Sequence, residues 1–505
     1  MNNIFERVYQ QSVNQPTKVA IVYEKERLTY QALIQQVLIL SARFKALGMV
    51  KGQRIALFAP NGPEYAVILL AAAKLGLAVV PLPITLKGHA LENALKSIPV
   101  ALTIAWSSVS VQLLKANLVQ ADNLISLNRK IADELLWEEV LSSELKDDTH
   151  WCDVPDFPYI LTMTSGSTGS PKPIVLTQDC KINRAFAATV HYYNLTVEDI
   201  VLVSTPLYHS LAQRGLLMPL MLGATTVIMT KFNVAKWFEV VEEQQISFLF
   251  AVSSQLDMLV NEIHLAKNMA SLKCIVSSSA VLASATKAKL IANFDCRLHE
   301  CYGASEVGVV SDFCLNEHND KQGSVGKALP FVKIKITNNN NDVLPVGEVG
   351  QIFCQSKTEF AGYLKLPEKT KLAYDSEGYF ATGDLGYLDE DGFLYYVGRN
   401  NDVISSGGIN VYPQDIEGVI KMHPDIEDCV AFAFPDTQFG EVIKVVYTTR
   451  TDAINEADLR KLCLQELTDY QQPRFLERVD SLAKSSLGKI LRQSVKELFS
   501  QKMDV

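Results

Sequence analysis

The sequence predicts an α/β protein: a large N-terminal domain of α/β layers with a β-rich subdomain, followed by a small α+β C-terminal domain. Three observations carry this. Helical and strand-like patterns alternate through most of the first 400 of the 505 residues, the mark of layered, largely parallel sheets. From about residue 320 the texture changes to short alternating segments divided by polar turns. The last hundred residues then form a separate helix–strand–strand–helix run. The boundaries that follow are 1–398, with the β subdomain at about 320–398, and 399–505.

The elements follow in order. "TYQALIQQVLILSARFKALG" has helical spacing and stops at Gly48, a residue suited to a helix C-terminus. "RIALFAP" is a buried strand, residues 65–75 a buried helix, and "LAVVPL" and "ALTIAW" further buried strands. Lys74, Gly76, Pro81 and Pro83 interrupt this apolar region, and a bilayer span needs ~20 apolar residues, so no membrane span is expected. "VKIKITN" and "GQIFCQS" alternate as strands, and "GYLDEDGFLYYVG" reads as a hairpin turning at DEDG. "PQDIEGVIKMH" and "EADLRKLCLQEL" are helical; "DCVAFAF" and "EVIKVVYTT" are strands.

Composition narrows the class. Hydrophobic residues make up 48% and charged residues 20%, which suits a packed globular protein. A net charge of −9 argues against a nucleic-acid partner. Nine scattered cysteines without a Cys-x-x-Cys pair read as reduced thiols of a cytoplasmic protein. The N-terminal MNNIFERVYQ lacks the character of a signal peptide.

One loop stands out. "TMTSGSTGSPKP" (162–173) is almost wholly Thr, Ser, Gly, Pro and Lys. Such a run cannot pack a core. Its amides and hydroxyls, with Lys172 as a point charge, can cradle a phosphate, although the spacing is not that of a P-loop. The bland alternative is a surface turn.

Five further stretches decide between the two: "PLYH" (206–209), "CYGASE" (301–306), "YFATGDLG" (379–386), "YYVGRNNDVISSGGINVYPQDIE" (395–417) and "SSLGKILR" (485–492). With the loop, and in this order, they resemble the adenylate-forming superfamily of acyl-CoA synthetases, adenylation domains and luciferases. The resemblance spans nearly the whole chain and is closest to a stand-alone acyl- or aryl-CoA ligase.

The resemblance implies roles. Thr164, Ser165, Gly166, Ser167, Thr168, Gly169 and Lys172 would grip the ATP phosphates. Ser278 and Ser279 would back the nucleotide, Tyr302 and Gly303 would meet adenine, and Ser305 would touch phosphate. Glu306 would help hold Mg²⁺, which needs few carboxylates when phosphate oxygens complete its shell. Asp384 would accept from the ribose hydroxyls, with Arg399 beside it. Lys489, on a loop of a mobile C-terminal domain, would stabilise charge on the reacting carboxylate and α-phosphate. Arg492 is expected to support it. His209 either lines the gate between acyl pocket and thiol tunnel or is structural. Asn401 marks the hinge, and Gly407 and Gly408 would lie beside the thiol tunnel.

Some positions depart from the family pattern. Pro173 stands where Gly is usual, and Asn401 where Asp or Lys is common. "SSSAV" (277–281) replaces a Gly/Ala-rich segment. Gln213 and Arg214 replace residues that are often small or apolar: pointing inward they would admit a charged or polar acyl tail; otherwise they face solvent.

The implied reaction has two steps. A carboxylic acid attacks MgATP, giving acyl adenylate and pyrophosphate; a thiol then takes the acyl group and AMP leaves. Coenzyme A is the expected thiol, and the phosphopantetheine arm of an acyl carrier protein is the alternative. A catalytically silent adenylate-binding homologue is the rival from another class. A phosphotransferase would instead release ADP.

Overall fold

The computed structural model describes residues 3–163, 172–317, 319–406, 409–436, 440–451, 454–485 and 488–500. Of the expected site residues, Thr164, Ser165, Gly166, Ser167, Thr168, Gly169, Gly407 and Gly408 lie outside the described residues. The chain forms two compact units. The first comprises Met1–Asp320, Leu329–Val332 and Ser356–Ala373; the second comprises Lys321–Ala328, Lys333–Gln355 and Tyr374–Val505. The β-rich segment thus shares its unit with the C-terminal fold.

In the first unit, helix α1 (Tyr30–Ala46) is capped by the Thr29 side chain, and Gly48 follows it with φ +74°. Strand β1 (Arg54–Phe58) leads to helix α2 (Glu64–Leu75), which is buried from Tyr65 through Lys74. Lys74 is tolerated there because its Nζ meets Asp147 Oδ2 at 2.8 Å; a buried charge needs such a partner. Strands β2 (Ala78–Pro81) and β3 (Leu102–Ala105) flank β1 in parallel. Their continuous apolar runs follow from burial on both faces.

Strands β4 (Pro158–Met163) and β5 (Pro173–Thr177) close this seven-stranded sheet as an antiparallel pair, with Met163 opposite Pro173. Met163 and Pro173, near the two ends of the stretch singled out by composition, are therefore paired in register. Pro173 is accommodated as a first strand residue, and its carbonyl accepts from Leu364 N at 2.9 Å.

Two buried helices come next. Helix α3 (Gln178–Ala185) starts on the Thr177 cap, and helix α4 (Ser210–Leu222) starts at His209. A second sheet carries β6 (Phe248–Val252), β7 (Cys274–Ser278) and β8 (Arg297–Ala304) in parallel. Strand β9 (Gly308–Cys314) then pairs antiparallel with β8. The register shifts between Tyr302 and Gly303. At that point a side chain on Gly303 would overlap the Gly308 carbonyl, so only glycine fits without displacement.

The second unit holds a four-stranded sheet of β10 (Val332–Thr337), β11 (Gly350–Ser356), β12 (Phe380–Leu388) and β13 (Leu394–Arg399). The DEDG hairpin forms between β12 and β13. Asp389 Oδ1 accepts from Asp391 N at 3.0 Å and Phe393 N at 2.9 Å, the local bonding that makes Asp a turn residue. Beyond it, helices α5 (Pro413–Ile420) and α6 (Glu456–Glu466) pack against β14 (Ile426–Asp436) and β15 (Gly440–Thr449) around Ile416, Ile420, Ala431, Val445 and Leu459. All nine cysteines are free thiols. Among the described residues, no helix is long and apolar enough to cross a membrane.

Candidate functional site

In the first unit, the end of β8 delivers Tyr302, half-buried, and the turn after it exposes Ser305 and half-buries Glu306. This turn is pinned by its backbone. Arg184 Nη2 donates to the Ser305 and Glu306 carbonyls at 2.9 and 3.1 Å, and Phe360 N donates to the Glu306 carbonyl at 2.7 Å. The Glu306 carboxylate is oriented by Tyr363, whose hydroxyl donates to Oε1 at 3.1 Å. Burial, then the Glu306 charge, raises the Tyr363 phenol, so it keeps its proton. Lys172 Nζ lies 5.4 Å from the Tyr363 ring centroid. A cation from the loop's exit and the carboxylate thus meet on one tyrosine.

The turn after β7 is held as well. Ser279 adopts φ +84°, unusual for a residue other than glycine. Leu282 N donates to Glu300 Oε1 at 2.7 Å, and Ser253 Oγ donates to the Ala280 carbonyl. Ser278 ends β7, one residue beyond Ser277, which pairs with Glu300 of β8 and so sits near the foot of the Tyr302 turn.

The His209 ring lies tilted against Tyr208, with centroids 4.3 Å apart, and its carbonyl accepts from Gln213 N at 3.1 Å. Burial depresses its imidazole to about 4, so it is neutral at physiological pH. Gln213 and Arg214, one turn further along α4, point inward: they are 0% and 6% exposed. The solvent-facing alternative does not hold.

In the second unit, Asp384 and Arg399 face each other across β12 and β13. Arg399 Nε stands 2.8 Å from Asp384 Oδ1. The approach is an ion pair by distance, without the alignment of a hydrogen bond. Asp384 is buried and half of the Arg399 side chain is exposed.

Lys489 sits on a tight turn. Ser485 N donates to the Lys489 carbonyl at 2.7 Å, Lys489 N donates to Ser485 Oγ at 3.2 Å, and Gly488 takes φ +76°. Its side chain is exposed by area yet crowded by protein. That crowding, then the like charge of Arg399, lowers its ammonium; Asp384 opposes, Arg492 adds, and Asp402 opposes. Solvent access keeps the effect modest.

Arg492 is structural in its bonding. It forks onto Glu417 at 2.5 and 2.8 Å, donates to the Ala431 carbonyl at 2.7 Å and pairs with Asp402 at 3.3 Å. Asn401 lies in the single helical turn Asn400–Asp402, next to that ion pair.

A family model described as AMP-binding enzyme matches residues 8–364, and one described as AMP-binding enzyme C-terminal domain matches 415–489. The chain belongs to the AMP-binding enzyme family. It is 27% identical to the fatty acid–[acyl-carrier-protein] ligase ScoC of Streptomyces coeruleorubidus, over 96% of this chain and 94% of that one. It is 26% identical to the long-chain-fatty-acid–CoA ligase FadD13 of Mycobacterium tuberculosis, over 90% of each. ATP-bound MatB from Rhodopseudomonas palustris superposes with a TM-score of 0.89 at 23% identity, over 99% of each chain, which shows the shared fold.

A family member of this kind uses ATP. Among the described residues, no three His, Cys, Asp or Glu side chains gather as a metal cage. One oriented carboxylate, Glu306, fits a Mg²⁺ that brings its own phosphate ligands.

Sequence reasoning missed Tyr363, which is 57 positions from Glu306 and has only "GYLKL" around it. It also passed over Lys181 and Arg184 on α3.

Proposed function

We propose that this enzyme is an ATP-dependent carboxylic acid:thiol ligase, forming an acyl adenylate with release of pyrophosphate and then passing the acyl group to coenzyme A. The observation that carries the reading is the charge arrangement around Lys489. A partly desolvated lysine on a tight turn, sharing its surroundings with Asp384 and Arg399, suits a group that must meet two anions and favour charge on phosphate oxygens. In this reading Asp384 takes the ribose hydroxyls, with Arg399 at its side. Glu306 would hold the Mg²⁺ of ATP, which neutralises phosphate charge. Lys172, with the Thr164–Gly169 loop, would grip the phosphates. Ser278, Ser279, Tyr302, Gly303 and Ser305 would line the nucleotide. His209, neutral, would border the acyl group without carrying a positive charge. Asn401 would be the hinge about which the Lys489 turn is exchanged for Gly407 and Gly408 in the thiol-transfer step.

Coenzyme A and a carrier-protein phosphopantetheine present the same thiol. The relatives include a ligase for each acceptor, and coenzyme A remains the first reading. Retention of Lys489, Glu306 and Asp384 speaks against a silent homologue. The free cysteines support a cytoplasmic location.

The test is product analysis. With ATP, Mg²⁺, coenzyme A and a panel of acids, the ligase should give AMP, pyrophosphate and a thioester in equal amounts. ADP as product would overturn the reading, and thioester formation only with a loaded carrier protein would reassign the acceptor.

A further inference from the structure

Buried cations are matched throughout most of this chain. Lys74 has Asp147, Lys287 has Glu300 at 2.6 Å, His299 has Asp312 at 2.6 Å and Lys444 has Glu477 at 2.7 Å. One cluster breaks the pattern. Lys181 and Arg184 on α3 and Arg214 on α4 are 3%, 2% and 6% exposed. Among the described residues, no carboxylate pairs with any of them.

Arg184 is satisfied by carbonyls: Thr358 at 2.9 Å, Ser305 and Glu306. The other two are not. Lys181 Nζ, with three protons to donate, has one acceptor, Gln213 Oε1 at 3.0 Å. Arg214 lies 5.5 Å from the Phe250 ring centroid, and its Nε and Nη1 are buried without a hydrogen-bond partner, as is Gln213 Nε2. Burial, followed by repulsion from Arg184 and Arg214, drives the Lys181 ammonium well below its ordinary value. Burial, then Arg184, lowers Arg214 to about 10.

Helices buried on all sides are ordinarily apolar, and an unpaired buried charge destabilises the fold. Such a cost is characteristic of a site whose partner arrives with the ligand. The cluster is placed for that. Arg184 holds the Ser305–Glu306 turn by its two carbonyls, and Gln213, which accepts from Lys181, is one turn from His209.

We infer that Lys181 and Arg214, with Gln213 between them, receive a second anionic group on the acid substrate, so that the enzyme selects acids bearing an oxyanion at the end remote from the activated carboxylate. Carboxylate and sulfonate tails share this chemistry. This inference rests on the ligase reading and narrows it to a substrate class.

The experiment is carboxylate-dependent exchange of labelled pyrophosphate into ATP with a ladder of α,ω-dicarboxylic acids, their monomethyl esters and ω-sulfo acids. The wild-type protein should favour a dianionic acid over its monoanionic half-ester by about 100-fold or more in kcat/KM, since buried donors left unpaired discriminate strongly. The two dianionic series distinguish carboxylate from sulfonate. Arg214→Met should collapse that ratio, chiefly through KM, and should raise the thermal midpoint of the substrate-free protein, an effect a structural arginine would not show. Lys181→Met provides a second variant, and the wild-type ratio needs no variant at all. Equal or better exchange with esters and plain fatty acids would overturn the inference and leave the ligase reading standing. Absence of exchange with every acid would overturn the ligase reading itself.

Discussion

Arg399 and Asp384 stand opposite each other on adjacent antiparallel strands, with Nε 2.8 Å from Oδ1. The carboxylate is buried while the guanidinium reaches solvent, so the pair presents its polar edge from a rigid strand. Asp384→Asn keeps the shape and removes the charge. Because hydrogen bonds to a charged group contribute about 1.5–3 kcal/mol, the variant should raise KM for ATP by about 10- to 100-fold, read by initial rates at varied ATP. An unchanged KM would remove Asp384 from the nucleotide site.

Tyr363 orients Glu306 through one hydrogen bond of 3.1 Å. Tyr363→Phe deletes that bond and little else. A loss of about 1 kcal/mol predicts a rise of roughly fivefold in the KM for MgATP, with kcat less affected. Titration of Mg²⁺ at fixed ATP would show the same weakening.

Gly303 occupies the step where β8 and β9 shift register. A methyl group there meets the Gly308 carbonyl, a backbone atom that cannot swing away. Gly303→Ala should destabilise the fold by about 1–3 kcal/mol, the usual effect of overpacking, and displace Tyr302. Thermal unfolding measures the first effect and ATP affinity the second.

His299 titrates in the opposite sense to His209. Burial pulls it down, but the hydrogen bonds and charges of Asp312 and Cys314 prevail and lift it to about 9. Asp312 also accepts from Tyr193 and Tyr192. The folded form therefore holds its proton more tightly than the unfolded chain. Stability from this pair is complete below pH about 6.5 and is lost as pH rises through about 9. Unfolding free energies of wild-type protein and His299→Gln, from denaturant titration, should differ most at pH 6, on the order of 1–3 kcal/mol, and converge toward pH 10. A constant difference would rule out a charged His299.

Much of this was legible in the chain itself. The strands around "RIALF" and "LAVVPL" read as apolar runs because both their faces are covered, and the DEDG hairpin reads from the bonding that Asp389 then makes. The motifs gave Glu306, Asp384, Arg399 and Lys489 because each lies in a local pattern. Tyr363 carries no such signal, since its partner is supplied by tertiary folding. Gln213 and Arg214 could be noticed as departures but not oriented: polarity alone argues for solvent, and only the packing of α3 against α4 turns them inward. The same packing buries Lys181 and Arg184, against the expectation for any lysine or arginine.

In the proposed reaction Lys489 acts in adenylation and not in thiol transfer. The most direct measurement compares Lys489→Ala with the wild-type protein in two half-reactions: acid-dependent pyrophosphate–ATP exchange, and thioester formation from a supplied acyl adenylate. Exchange should fall by about 100- to 1,000-fold, with thioester formation close to wild type. Equal losses in both half-reactions, or exchange unaffected by the substitution, would contradict it.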